Sequence, residues 1–212
     1  AEQLVSKHAA KHSCVLRDAA SPLLSMTPLR SNVPILQRKD AIARAYRAAI
    51  RRFATILSEL CGELPVLRSP TRADALRGTI ARRMEAATLP FADETFVTPM
   101  AAVAGAVAEA VLAAMTGAAE LARASVNNGG DIALHLHPDE TTRIGLVDRP
   151  DAPSLFGAAT LAGRDGIGGI ATSGWRGRSF SLGIADAVTI LAVGAPEAYA
   201  AATLVANAAD LP

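Results

Sequence analysis

The run Ala101-Ala-Val-Ala-Gly-Ala-Val-Ala-Glu-Ala-Val-Leu-Ala-Ala-Met115 constrains this chain more than any other segment. Thr98-Pro99 ahead of it opens a helix with proline at the first helical position, where the missing N–H costs nothing. A helix so poor in bulk must lie with its backbone very close to something, either a sheet or a bound ligand. The same small surface suits close packing between subunits, which leaves a homo-oligomer, or a noncatalytic scaffold protein, as one reading. Residues 99–115 are interrupted by Glu109 and fall short of the roughly 20 residues a bilayer requires. With no signal peptide or lipobox ahead of the fold, the expected location is cytoplasmic, with no membrane partner.

Around this helix the pattern is helices first and strands later. Residues 1–36 carry Pro22, Pro28 and Pro34 without helical or alternating order and read as an arm, leaving 37–212 as a single domain. Ile42, Tyr46, Ile50, Phe53, Leu57, Leu60 and Cys61 recur at steps of three and four, predicting a helix capped by Asp40 and ending near Gly62. Thr71-Arg-Ala-Asp74 reads as a capping box opening a second helix, whose buried stripe is Leu76, Ile80, Met84 and Ala87. Beyond the alanine-rich helix, residues 124–126 lead through Asn127-Asn-Gly-Gly130 into 131–137, which alternates at period two. Residues 143–147 are expected to form a hairpin with 131–137. Residues 154–161, 167–173, 179–184 and 187–193 also read as strands. A last helix over 196–209 would bury Ala201, Leu204, Val205 and Ala208. This order predicts an α+β fold rather than alternating βαβ units.

Composition narrows the function. Twenty-one basic and 20 acidic residues leave a net charge of +1, which gives no field favouring nucleic acid. The balance conceals a basic half, residues 1–100, and an acidic half, 101–212. Two cysteines, Cys14 and Cys61, do not make a disulfide scaffold, and Cys61 is expected in the core. The chain starts on Ala1 rather than Met and stops at Pro212, the pattern of a processed or partial copy.

Two stretches carry candidate chemistry. In Asn127-Asn-Gly-Gly-Asp131, the glycines allow a tight turn and close backbone approach to a ligand, with Asp131 at the mouth of a strand. The alternative is a hairpin turn with a solvated aspartate. In residues 166–178, glycines expose amide donors, Thr172 and Ser173 add hydroxyls, and Arg176 and Arg178 can grip a phosphate. The alternative there is a glycine-rich sheet edge. Trp175, the only tryptophan, would cover a flat ring or wedge into the core. Gly166-Ile-Gly-Gly-Ile-Ala171 is not a dinucleotide fingerprint, because Gly174 and Gly177 follow where a helix must open. Ser173 is not in a nucleophile elbow, since Ala171 stands where the first glycine belongs. His135 and His137 share a strand face with no third metal ligand nearby.

The segments from Phe96 to Asp131, Ala171-Thr-Ser-Gly-Trp-Arg-Gly-Arg-Ser-Phe-Ser-Leu-Gly-Ile-Ala-Asp186 and Ala202-Thr203 resemble the uncharacterised cytoplasmic branch of the ApbE superfamily, over roughly residues 40–210. That resemblance implies an ApbE-like, T-fold-like sheet with packed helices. Characterised ApbE proteins are magnesium-dependent transferases that cleave FAD and attach FMN to a threonine of a partner protein. By resemblance, Asn128, Gly129, Gly130, Asp131, Thr172, Ser173, Gly174 and Arg176 would bind a flavin or other anionic, phosphorylated ligand. Asp186 and Thr172 would take catalytic roles, and Thr203 with Asp210 would hold Mg²⁺. The chain departs from the transferases at three places. Residues 181–186 lack the histidine of their corresponding segment, Tyr199 replaces their magnesium-binding aspartate, and Ala104 replaces a lysine. A different metabolic enzyme reusing the pocket for another anionic metabolite is therefore the alternative function.

Overall fold

The computed structural model describes residues 14–16, 23–28, 35–147, 155–175 and 181–210. Two short strands, β1 (Cys14–Leu16) and β2 (Leu23–Pro28), precede a long helix, α1 (Ile35–Gly62), and a single turn, α2 (Leu64–Leu67). Helix α3 (Thr79–Thr88) follows, and then α4 (Val103–Ala118), entered through a 3₁₀ turn over Pro99–Ala102. Strands β3 (Leu121–Asn128), β4 (Asp131–Leu136), β5 (Thr141–Val147), β6 (Leu155–Ala162), β7 (Gly169–Ser173) and β8 (Val188–Ala192) come next, and α5 (Ala195–Ala208) closes the described chain. A six-stranded sheet has the order β1-β2-β3-β4-β7-β8, while β5 and β6 form a separate two-stranded sheet. The fold is α+β, as the order of elements predicts.

Helix α4 lies against β3 and β4 and also contacts α1 and α5. Gly105, Ala106, Ala108, Ala110, Val111 and Met115 are buried, so its small surface is used within the chain. The helical run Pro99–Ala118 spans 20 residues, long and apolar enough by those measures to cross a bilayer, but half of it is buried under the sheet. A Cβ on Gly105 would collide with the carbonyl oxygen of Ala195, and one on Gly169 with that of Gly194. These contacts press α4 and β7 against the start of α5.

Several expected boundaries move. Helix α1 begins at Ile35, so Asp40 lies inside it rather than capping it. Nothing between Pro34 and Asp40 interrupts propagation. Its buried line is Ala45, Tyr46, Ala49 and Ile56, with Ile42, Phe53 and Leu60 partly covered. Ile50, Leu57 and Cys61 are exposed, each lying one position beyond that line on the helix. The expected arm contains two strands: β2 pairs with β3 and β1 with β2, both antiparallel. β1, at three residues, is too short for a period-two signal, and Leu23-Leu-Ser-Met-Thr-Pro28 does not alternate throughout.

The capping box at Thr71 is not formed. Thr71 Oγ1 instead meets Thr88 Oγ1 at 3.0 Å, and Asp74 adopts a left-handed φ of 56°. Two remote carboxylates hold this loop. Glu63 accepts the amides of Arg77 and Gly78 at 2.6 and 2.7 Å, and Glu85 accepts those of Ala75 and Leu76 at 2.8 and 3.3 Å. Helix α3 therefore begins only at Thr79 and leaves Leu76 in the loop before it, although Leu76, Ile80, Met84 and Ala87 are all buried as expected.

The expected pairing of β5 with β4 is replaced by β5 with β6, since β4 already has β3 on one side and β7 on the other. Residues 181–184 form bends rather than a strand. Their amides are taken by the end of α5: Leu182 donates to Asn207 Oδ1 at 2.9 Å and Ile184 to the Ala209 carbonyl at 2.8 Å. In α5 the buried positions are Ala195, Pro196, Ala198, Ala200, Ala202 and Ala206, while Val205 is half exposed and Ala208 exposed. Hydrophobicity pointed to the leucine and valine. Contact with the glycine-rich β7 selects the alanines instead.

Gly105→Ala is expected to destabilise the protein by about 2–3 kcal/mol through overpacking. Gly117→Ala, on the same helix with nothing within 4 Å of the added Cβ, is expected to stabilise it by about 0.8 kcal/mol. Urea unfolding of both variants measures the contrast.

Candidate functional site

The turn between β3 and β4 consists of Gly129 and Gly130, with φ of 75° and 119°, so both occupy backbone regions that side-chain-bearing residues avoid. Asn127 Oδ1 accepts the Gly130 amide at 2.8 Å and fixes the turn. Asn128 Nδ2 donates to the Ala104 carbonyl at 3.1 Å, tying the turn to the start of α4.

Asn128 pairs with Asp131 and Val126 with Ala133. Asn128 and Asp131 therefore share the sheet face on which Val126 and Ala133 are wholly buried. Asp131 is only 7% exposed, and its Oδ1 has no hydrogen-bond partner among the described residues. Burial pushes its carboxyl up to about 7. The reading of Asp131 as a solvated turn residue is thereby excluded.

Ala133 pairs with Gly169 and Ile132 with Ile170 across β4 and β7. One further step brings Asp131 level with Ala171. The sheet end that carries the glycine turn therefore also carries Thr172, Ser173 and Gly174. Alternation separates the two hydroxyls. Ser173 shares the covered face with Asp131 and is buried, whereas Thr172 lies on the opposite face, 2.9 Å from Thr189 Oγ1. Gly174 is pressed against the next segment, where a Cβ would strike the Asp186 carbonyl oxygen. Trp175 donates its backbone N–H to the Ala185 carbonyl at 3.1 Å and its indole N–H to Asp186 Oδ1 at 2.9 Å.

Helix α5 starts beside Gly169 and packs Ala198 and Ala202 around Ala171. Eight helical residues from Ala195 advance about 12 Å, and four strand residues from Gly169 advance about 13 Å. Thr203 is thus drawn roughly level with Ser173, and its Oγ1 is buried without a partner among the described residues. Asp210 is exposed beyond the end of α5 and does not join this group. Arg176 and Arg178 lie outside the described residues.

A second cluster was not foreseen. Arg83 pairs with Glu109 Oε1 at 2.7 Å, and a Cβ on Gly194 would meet oxygens of both Glu109 and Glu197. Burial raises the Glu109 carboxyl, against the opposing pull of Arg83. The sequence signal was Glu109 itself, a lone charge in an apolar helix. This cluster joins α3, α4 and the first turn of α5, at the other end of α5 from Thr203.

Magnesium can be tested against the donors present. Asp131 Oδ1 and Thr203 Oγ1 are buried oxygens of the hard type it prefers. Among the described residues, however, no three His, Cys, Asp or Glu side chains converge. A Mg²⁺ held here would therefore take the rest of its ligands from water or from a bound phosphate.

Known proteins align with this arrangement. The chain is 37% identical over 134 residues to the UPF0280 protein MK0206 of Methanopyrus kandleri, covering 60% of this chain and 48% of that protein. It is 39% identical over 130 residues to a UPF0280 protein of Methanosphaerula palustris, covering 61% and 52%. It therefore spans about half the length of these curated relatives. The fold is shared with the crystal structure of the Pseudomonas stutzeri flavinyl transferase ApbE in its apo form, at a TM-score of 0.53 and 11% identity, covering 92% of this chain and 84% of that one. A family profile described as AbpE bacteria matches residues 19–212, which include β2 of the expected arm. On that match the chain belongs to the AbpE bacteria family.

Proposed function

We propose that this chain binds a flavin or another phosphorylated nucleotide-type ligand at the sheet end carrying Gly129, Gly130, Asp131, Ser173 and Gly174. The observation that carries this reading is the buried, unpartnered Oδ1 of Asp131. Where this protein uses carboxylates structurally, as at Glu63 and Glu85, they accept two backbone amides each. Asp131 Oδ1 has no such partner among the described residues, a state it shares with Glu197 Oε2 at the far end of α5 and one that fits a group kept for a ligand. With no side chain at Gly129 or Gly130 and nothing within 4 Å of a Cβ at either, a phosphate can approach the backbone of the turn closely. With its pKa near neutrality, the Asp131 carboxyl can hold or release a proton at Oδ1 facing the ligand.

FMN transfer from FAD to a partner protein is the finer form of this reading. The histidine is missing from residues 181–186, Tyr199 replaces an acid, and Asp186 Oδ1 is engaged with the Trp175 indole. Thr172 faces away from Asp131. The proposal therefore rests on binding rather than on transfer, and no step is routed through magnesium.

Isothermal calorimetry with FAD, FMN and ADP is expected to give saturable binding to the wild-type chain, weakened about tenfold by Asp131→Ala. Absence of heat from all three at millimolar ligand would falsify the reading. A selective response to a phosphorylated metabolite without a nucleobase or flavin would favour the alternative enzyme.

Asp131 also sets a pH dependence. Because its folded pKa is raised, its stability contribution is intact below about pH 4, declines as pH climbs towards 7, and levels off above that. Asp131→Asn is expected to flatten the Tm profile between pH 4 and 7 and to be the more stable protein above pH 7.5, by up to about 4 kcal/mol. Calorimetric melting across that range measures the effect.

A further inference from the structure

Trp175 is the one tryptophan of the chain, and it is 45% exposed at the end of the Thr172-Ser173-Gly174 segment. Exposed tryptophans in small domains ordinarily gain little from being fixed. Here the ring is held from two directions. Its indole N–H donates to Asp186 Oδ1 at 2.9 Å, and its backbone N–H donates to the Ala185 carbonyl at 3.1 Å. Gly174 brings the two segments so close that any side chain there would strike the Asp186 carbonyl. Residues 182–184 are anchored in turn to the end of α5 through Asn207 and Ala209. The half-exposed indole is thus held in a fixed orientation, so stacking on its exposed part carries little ordering cost.

We propose that Trp175 is a ring-stacking platform of the ligand site, and that Asp186 is a positioning residue which holds the indole rather than a catalytic base. The inference rests on the ligand-binding reading above and adds to it the residue that takes the planar heteroaromatic ring of such a ligand, so that a ring-bearing ligand is preferred to a ringless phosphate. A phosphate alone would need only the glycine turn. A ring gains from a large, flat, pre-oriented partner, and base–aromatic stacking contributes about 1–3 kcal/mol per base.

The test compares FMN, ADP and inorganic pyrophosphate by calorimetry on the whole chain. Trp175→Ala is expected to weaken FMN and ADP about tenfold while leaving pyrophosphate within twofold, and Trp175→Phe to stay within threefold of wild type for all three. Asp186→Ala is expected to weaken the ring-bearing ligands about fivefold, with Asp186→Asn, which keeps an acceptor oxygen, restoring them. A readout that needs no variant is acrylamide quenching of the single tryptophan, which ADP should reduce at saturation. Equal FMN and ADP affinity in Trp175→Ala and wild type, or quenching unchanged by bound ADP, overturns the platform and leaves the site standing. Failure of every ligand to bind the wild-type chain overturns the site and the platform together.

Discussion

The packing of this protein depends on how closely α5 approaches its neighbours. At Gly105 and at Gly169 a single added methyl group would meet a backbone carbonyl of residues 194–195, so backbone lies directly on backbone at both places. Around these points the contacts are made by alanines: Ala106 and Ala108 on α4, Ala198 and Ala202 on α5, and Ala171 on β7. Such contacts have no long side chains to readjust, and the spacing of the layers is fixed within narrow limits. That spacing seats α5 along β7 and draws Thr203 level with Ser173. It also keeps α4 close enough for Asn128 to reach the Ala104 carbonyl.

The same tight layering explains why Asp131 is electrostatically unusual. Its carboxyl is on the face where Val126 and Ala133 are wholly buried, and desolvation is the cause of its shift. Glu109 enters a comparable environment on α4 but has the guanidinium of Arg83 beside it. Glu63 and Glu85 bind loop amides. Among the described residues Asp131 Oδ1 and Glu197 Oε2 are the buried carboxylate oxygens without a partner, and of the two Asp131 stands at the sheet end where the glycine turn and the Thr-Ser-Gly strand end meet.

Much of this was legible beforehand wherever the signal was local. Two adjacent glycines between strand-like runs specify a tight turn because both positions need positive φ, and that turn is formed at 129–130. The alanine run predicted a helix packed hard against a sheet, which α4 is. Signals with two equally local solutions were misread. Thr71 and Asp74 have the spacing of a capping box, yet Glu63 and Glu85, more distant in sequence, outcompete it. Strand β5 lies next to β4 in sequence, but both edges of β4 are occupied by strands of the main sheet. In the candidate site, Asp131 and the Thr-Ser-Gly segment were identified from residue type. That Thr172 and Ser173 face opposite sides, and that Asp186 holds Trp175, follows from register and chain crossing, which no spacing encodes.

The sequence by itself determined the class of fold, the position of the glycine turn and the small-residue character of α4, because each rests on backbone sterics and periodicity within a few residues. Tertiary structure alone decided which residues become buried without partners and which come level with one another. Burial of Asp131, exposure of Cys61 and Leu57, and the pairing of Trp175 with Asp186 depend on how far apart the layers settle. That distance is set by contacts between residues many tens of positions apart, where one methyl group at Gly105 or Gly169 is enough to change it.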